Sequence, residues 1–565
     1  MNLKSRTWSF ISVVSITLLM LALYYSWNNK LTHTEAAPVS YIVQAGSVEQ
    51  ALRAVEQAGG EITHKLKIIN AVSATLTQDE LAILQAIEDL TIHIDRKAKV
   101  AGKFKDTGYP TVTRANYLHQ KGITGSGVTI AVIDTGLWDE WEDKTDAEGQ
   151  IKAAYDAIYD EYYFDSDDIR DGFGDDSGHG THVSAIATAR NIAGQTGNYQ
   201  GIAPGAGLVS VRAFDENGMG LYGDIIAGLD FILTYKDEFN IRVVNLSFSA
   251  PLQSYYWEDP LNQAVMAAWE AGLVVVASAG NTGPEPMTIG VPGNVPYIIT
   301  VGAITDNYTP QDPNDDMLAT WSAAGPTYEA FVKPDLVAPG GHMLAAMGDE
   351  NYLAKNFPQY VDPDDEDYFT MSGTSQATAV VSGIAALVLQ YMPDLTPDQV
   401  KCRLMVSAKT AKDDQQFISA TANNLKYSPF QQGAGRVDAY TALRYRIDNE
   451  NCANKGLDIS LDLAGEQHFV GPARLDENGN FYIEGVGYYW DGTLSSGGSP
   501  WVDGNPFTDG NPFTDGNPFT DGNPFVDGNP FVDGTPLDPG SSGVSGNPFV
   551  DEFQTAAIDN WVEEE

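Results

Sequence analysis

Cysteine is almost absent from this chain of 565 residues, which holds only Cys402 and Cys452. Neither stands in a CxxC pair or at a metal-ligand spacing, so thiol redox chemistry, a cysteine-built zinc site and cysteine catalysis are excluded. In an oxidising compartment the two can join as a disulfide; otherwise they are unrelated thiols. Basic residues are also scarce, 32 against 76 acidic ones, for a formal net charge of -44. A surface of that sign excludes nucleic acid as a partner and favours solubility, but it names no substrate. Long apolar runs are missing too, with one exception at 8–27, broken only by Ser and Thr and preceded by Lys4 and Arg6. That run reads as an export signal within 1–37, with a candidate cleavage site near Ala36 and Ala37, or as a retained membrane anchor. Either way the rest of the chain reaches an extracytoplasmic space, and a membrane is a partner only if the segment is retained.

What is present is a 43% hydrophobic composition, enough for one large core and several smaller parts. Residues 39 to about 100 predict a strand (40–44), a helix (48–58), two strands within 62–76, a second helix (78–89) and a last strand (91–95). The helices rest on apolar spacings of three and four, as in Leu52, Val55 and Ala58, and the strands on β-branched content. The result is a small α+β unit of βαββαβ order. From about 109 to 446, nearly continuous apolar runs (128–133, 208–213, 243–248, 273–278, 298–304) alternate with helical stretches. Such runs are strands buried on both faces, so the fold class is α/β, a mostly parallel sheet covered by helices on both faces. Functional groups of such a sheet gather at the carboxyl ends of strands, and Asp134 and Asn281 are expected just past two of them.

Beyond about 448 the composition turns to Gly, Asp and aromatics, and from Asp503 a six-residue unit recurs as DGNPFT and DGNPFV. Pro, Gly and Asn in every unit prevent an ordinary helix or strand. The repeats read as an extended acidic linker or tail, with calcium or a surface as alternative partners. The expected parts are a signal peptide or anchor (1–37), the βαββαβ unit (38–100), the α/β domain (101–447), a small extension (448–500), the repeats (501–551) and an acidic end (552–565).

Three segments carry chemistry. In VTIAVIDTGL (128–137), Asp134 stands at the mouth of a buried strand before a Thr-Gly turn, placed to orient a partner or simply to cap the strand. In DDSGHGTHVSAIATA (175–189), His179 precedes a helix of small residues expected over 181–189. A neutral imidazole is a suitable general base; the rival is a metal held by His179 and His182, although no third ligand stands at an expected spacing. His182 otherwise reads as a structural hydrogen-bonding group. In MSGTSQATAVVSGIAALVL (371–389), Ser375 opens a long apolar helix, where unpaired N–H groups favour negative charge. By itself such a serine is a helix cap; its company and the two upstream segments mark it as a nucleophile.

Residues from roughly 109 to 446 resemble the subtilisin family of serine peptidases. The three segments match its Asp, His and Ser motifs in its chain order, which differs from that of other serine hydrolases. A fourth segment, VVVASAGNTG (274–283), matches the family's oxyanion-hole motif at Asn281, otherwise a turn-forming residue. The resemblance implies a secreted serine endopeptidase with Asp134, His179 and Ser375 as its triad. It implies a substrate edge strand at 217–220 bearing Gly218 and Gly220, and an opposite wall at 247–249 with Ser247 and, beyond it, Gly280. Ser249 and Ala185 stand where the family has Gly, and Ala379 and Val380 where it has Pro and His, which puts the pocket shape in question. The βαββαβ unit resembles the family's inhibitory propeptide, removed by self-cleavage between about 97 and 108. Protein or peptide substrates and the propeptide are the implied partners. No cofactor is needed for the chemistry, structural calcium is an option, and the acidic run 165–176 is its nearest candidate, with no ligands named.

Overall fold

The computed structural model describes residues 38–94 without 88, residues 107–492 without 146–147, 193–196, 314, 412–424, 447–451, 485–487 and 491, and the pair 555–556. The expected export segment, the propeptide cleavage segment up to 106 and the hexapeptide repeats lie outside these residues. Two compact units divide the chain, Met1–Lys103 and Phe104–Glu565.

The first unit runs β1 (Val39–Gln44), α1 (Val48–Ala58), β2 (Glu61–Leu66), β3 (Ala71–Leu76), α2 (Gln78–Gln85) and β4 (Thr91–Ile94). Its sheet is antiparallel in the order β2-β3-β1-β4. Ser47 caps α1 through the Gln50 N–H, and Val48, Ala51, Val55 and Ala58 turn one face onto Val43, Val72 and Ala74. A Thr77–Glu80 capping box opens α2. The helix ends at Gln85, short of the expected 89, where Asp89 takes a left-handed φ of 71° that no helix continues through.

The second unit is built on β5 (Thr129–Asp134), β6 (Ile151–Asp156), β7 (Glu161–Tyr163), α3 (His179–Thr188), β8 (Gly207–Arg212), β9 (Met219–Gly220), α4 (Tyr222–Tyr235) and β10 (Ile241–Leu246). It continues through α5 (Pro260–Glu270), β11 (Val274–Ser278), β12 (Ile299–Thr305), β13 (Met317–Leu318), β14 (Leu336–Pro339), β15 (Met343–Ala346), β16 (Tyr368–Met371), α6 (Thr374–Tyr391) and α7 (Pro397–Ser407). The main sheet is ordered β13-β12-β11-β10-β5-β8-β6-β7, with β14 also on β12. Only β13 and β7, at its edges, pair antiparallel. Helices α3 and α6 pack on each other and on the sheet, as do α4 and α5, giving the expected α/β layers. Strand β5 has β8 and β6 on one side and β10, β11 and β12 on the other. It therefore marks the point where strand order reverses, the place where open α/β sheets gather functional groups at the carboxyl ends of their strands.

The extension is part of this core rather than an appendage. After α8 (Ile459–Leu463) come β17 (Ala473–Leu475), β18 (Phe481–Ile483) and β19 (Tyr488–Trp490), an antiparallel sheet. Buried Asp462 accepts the hydroxyls of Tyr256 (2.5 Å) and Tyr297 (2.9 Å), while Phe469 lies in the main core. Phe481 and Trp490 pack with Phe430. A chain ending near Gly456 would lose all of these contacts. Cys402, in α7, is disulfide-bonded to Cys452 at the start of the extension. A last strand, β20 (Thr555–Ala556), pairs antiparallel with β9.

Asp335, just before β14, is buried between two ammonium groups, Lys333 Nζ at 2.6 Å and Lys401 Nζ at 3.1 Å. Lys401 also donates to the carbonyls of Pro296, Tyr297 and Ile298, so the ion triad ties α7 to the strands beneath it. Burial lowers the Lys333 pKa to about 7, so removing the shared anion leaves two buried amines, of which Lys333 can release its proton. Asp335→Asn should lower unfolding free energy by about 3–5 kcal/mol in urea titration, with the centre below unaltered in the folded fraction.

Candidate active site

Asp134 is the last residue of β5 and not the first beyond it, because its carbonyl still accepts from Ala213 N (2.9 Å) and it pairs with Arg212. The chain then turns sharply at Thr135 and Gly136. Gly136 has a φ of 123°, and a Cβ there would sit 2.1 Å from the Gly174 carbonyl oxygen, so only glycine fits.

Helix α3 starts at His179, two residues before the expected 181, because Asp175 caps it. Its Oδ1 accepts from Ser177 N (3.2 Å) and Gly178 N (2.8 Å), and its Oδ2 from Thr181 N (2.8 Å) and Thr181 Oγ1 (2.6 Å). Thr135 Oγ1 donates to Asp175 Oδ1 (2.8 Å) and accepts from Gly180 N (2.8 Å). One carboxylate thus fastens the end of β5 to the first turn of α3, where orphan N–H groups and the helix dipole favour its charge. Sequence reasoning missed Asp175 as a positioning residue; an Asp four residues before the histidine, next to a Ser-Gly turn, was the available signal.

The result is a short bond, His179 Nδ1 donating to Asp134 Oδ1 at 2.7 Å, with Thr135 N donating to the same oxygen at 2.8 Å. A carboxylate only accepts, so Nδ1 carries a proton and Nε2 of the neutral ring holds the lone pair. Asp134 is 1% exposed and His179 2%. The other carboxylate oxygen, Oδ2, is buried without a hydrogen-bond partner. Burial pushes the Asp134 carboxyl up, while the charge and hydrogen bond of His179 hold it back. Burial works against the His179 cation, but the charge and hydrogen bond of Asp134 outweigh it and its pKa is raised.

Ser375 is the second residue of α6, and its hydroxyl donates to the Ser247 carbonyl at 2.8 Å. In return Ser247 Oγ donates to the Ser375 carbonyl (2.9 Å) and accepts from Asn245 Nδ2 (2.8 Å), itself held by Ser382 Oγ (2.9 Å). Asn281, beyond β11, accepts at Oδ1 from Thr374 N (2.9 Å) and Thr374 Oγ1 (2.8 Å). A backbone N–H can only donate, so the amide oxygen must face Thr374, which directs Nδ2 the other way. A Cβ at Gly373 would lie 3.3 Å from Asn281 Nδ2 and 3.7 Å from Ser375 N. Gln376 Oε1 would lie closest to that Cβ, at 2.6 Å, so the two donors and one amide oxygen gather at the same glycine. Thr374, which holds Asn281, is a second positioning residue that sequence reasoning missed.

The residues expected to bind substrate have these surroundings. Gly218, at φ 73°, makes the turn in which Asp215 N donates to the Met219 carbonyl, and β9 follows directly from the strand end beside Asp134. A Cβ at Gly220 would meet the Ala213 carbonyl oxygen at 2.5 Å, so β9 lies close on that end. Ser247 is fully buried, so its side chain is no wall of a cleft and only its backbone can face substrate. Ser249 Oγ lies 3.0 Å from where a Cβ on Gly280 would be, so the two narrow one spot. Ala185, Ala379 and Val380, expected to bear on pocket shape, are instead buried in the main core, because α3 and α6 pack there. Of the departures from the family pattern, Ser249 alone reaches the neighbourhood of the site.

A metal centre does not fit. His182 Nε2 donates to the carbonyls of Met343 (3.0 Å) and Phe369 (3.1 Å), and burial lowers its pKa to about 3, so it is a neutral structural donor. In the acidic run Asp175 is fully engaged as above, and Asp176 pairs with Arg212 at 3.2 Å. Among the described residues no group of three or more His, Cys, Asp or Glu is placed to hold a metal ion. In the run, Asp175 and Asp176 are thus committed to protein partners.

A sequence model described as the subtilase family matches residues 125–435. Serine protease AprX of Bacillus subtilis (strain 168) is 35% identical over 396 residues, 66% of this chain and 84% of that protein. Subtilisin E of the same organism is 30% identical over 360 residues, 63% of this chain and 79% of that protein. Among solved structures, fervidolysin from Fervidobacterium pennivorans, a keratinolytic enzyme related to subtilisin, shares 21% identity with a TM-score of 0.45. The match covers 74% of this chain and 62% of that structure.

Any reaction using His179 as base requires it neutral, so the rate should fall as pH drops through a pKa above the ordinary 6.5. The linked stability runs the other way. A raised folded pKa stabilises below the unfolded pKa, and that contribution is lost as pH rises through the folded pKa. Asp134→Asn should move the acid limb of the rate profile to lower pH and cost about 10⁴-fold in kcat. A wild-type limb at or below that of free imidazole would contradict the geometry.

Proposed function

Because the chain belongs to the subtilase family and is a serine-type endopeptidase, we propose that it cleaves peptide bonds through an acyl-enzyme on Ser375, with His179 as general base and Asp134 as its orienting anion. The observation that carries this reading is the buried 2.7 Å bond between His179 Nδ1 and Asp134 Oδ1, which leaves Nε2 as the basic nitrogen. Ser375 Oγ must turn from the Ser247 carbonyl to Nε2 before attack. That rotation also releases the Ser247 carbonyl, which becomes an acceptor for a backbone N–H of the bound peptide. Oγ attacks the scissile carbonyl carbon as Nε2 takes its proton, and Asp134 stabilises the imidazolium. The developing oxyanion is met by Ser375 N and Asn281 Nδ2, the two donors that lie beside Gly373. His179 returns the proton to the leaving amine, and water then hydrolyses the ester by the same route.

Extended substrate runs along β9, with Gly218 and Gly220, and faces the backbone at Ser247 and the Ser249–Gly280 constriction on the other side. The enzyme is exported and works outside the cytoplasm. Supporting this are the apolar run 8–27 behind Lys4 and Arg6 and the Cys402–Cys452 disulfide, which persists in oxidising surroundings. The βαββαβ unit at 38–100 acts as an inhibitory propeptide that the enzyme removes itself. In support, the two compact units divide at Lys103 and Phe104, inside the expected cleavage segment.

Ser375→Ala should abolish casein hydrolysis while its thermal unfolding stays close to wild type. Asn281→Ala should lower kcat by about 10²–10³-fold with little change in KM, the size of loss found for an oxyanion-hole Asn in subtilisin. N-terminal sequencing of active secreted enzyme should begin between residues 97 and 108, and of the Ser375→Ala protein it should not. Active enzyme that retains residues 39–100 would sink the propeptide reading.

A further inference from the structure

Strand β20 lies as an added strand on β9, antiparallel, with Thr555 opposite Gly220 and Ala556 opposite Met219. Among the described residues β9 has no other sheet partner, because it stands apart from the main sheet. An open row of N–H and C=O groups of this kind takes up extended peptide by strand addition. Its place is specific. β9 follows directly from β8, whose Arg212 is paired with Asp134, and Gly220 rests on the Ala213 carbonyl, whose own N–H is bonded to the Asp134 carbonyl.

We propose that the C-terminal segment around Thr555–Ala556 is an internal occupant of the substrate edge, a peptide carried by the chain itself that competes with protein substrates for β9. This rests on β9 being the substrate strand of the proposed peptidase. The composition of the segment suits the role. From Phe549 to the end there is neither Gly nor Pro, whereas every preceding hexapeptide unit holds both. Proline lacks the N–H that a ladder needs and glycine weakens a strand, so the repeats cannot pair as this segment does.

Tethering supplies the strength that a two-residue ladder lacks. A segment on the same chain is presented at an effective concentration on the order of millimolar. Ordinary KM values lie at roughly 1 μM–1 mM, so such a segment raises apparent KM without sealing the site. The occupant yields to a longer peptide that also reaches the Ser247 side, and kcat is untouched once substrate is bound.

The test compares three proteins: the enzyme with its C terminus at Glu565 verified by intact mass, a chain ending at Val550, and a Thr555→Pro/Ala556→Pro double variant. Each is assayed on a tetrapeptide p-nitroanilide, which reaches β9, and on a single-residue p-nitroanilide, which does not. Both altered proteins should show a KM for the tetrapeptide lower by about threefold or more, with kcat unchanged and no gain on the short substrate. Equal KM values in all three proteins, or an equal gain on both substrates, would overturn the proposal. Within the truncated chain the tetrapeptide should exceed the short substrate by about tenfold or more in kcat/KM. If it does not, the substrate-edge reading of β9 fails and takes the proposal with it; if it does and truncation changes nothing, the tail proposal fails alone.

Discussion

A carboxylate withdrawn from water at the end of a buried strand has few ways to keep its charge. Asp134 has two neighbours that supply it, the Thr135 N–H and the His179 ring, and its second oxygen has no partner. Everything nearby is arranged so that the imidazole stays in that position. The first turn of α3 must come within hydrogen-bonding distance of the end of β5, which is why Gly136 and Gly180 leave no room for a side chain between them. Asp175 then holds turn and helix together through donors from both. The same arrangement gives the ring its tautomer and its raised pKa, so an electrostatic constraint on folding also sets the protonation of the imidazole.

The parallel sheet turns this local arrangement into a centre. Parallel strands end on one side, so β5, β10 and β11 deliver Asp134, Ser247 and Asn281 to a single edge. Helix α6 meets that edge with its amino end, and Thr374 and Ser375 interlock with Asn281 and Ser247 through five hydrogen bonds counted with the Gly280 N–H to Thr374 Oγ1. Two of those bonds run between Ser247 and Ser375 in opposite directions, so the Ser375 hydroxyl rests on a carbonyl that its rotation would free.

Much of this was legible in the sequence because it is local. A fully apolar run followed by Asp-Thr-Gly marks a strand end, and a Gly-Thr-Ser before small apolar residues marks a helix start, whatever surrounds them. What escaped was anything depending on which distant segments meet. Asp175 sits in an acidic stretch that reads equally well as a solvated loop. Ala185, Ala379 and Val380 differ from the family pattern at positions that the helix packing turns into the core. The extension looked separable because Gly and Asp dominate it, yet Asp462 answers to Tyr256 and Tyr297, far upstream, and one-dimensional composition holds no trace of that partnership.

The disulfide has a further meaning for a molecule that cuts protein chains in the company of its own copies. Cys402 and Cys452 are 50 residues apart, one in a core helix and the other at the entry to the extension that completes the core. A nick anywhere between them leaves the fragments covalently joined, and the pieces that pack around Tyr256 and Trp490 cannot diffuse apart. Damage there becomes an internal break in a molecule that is still whole.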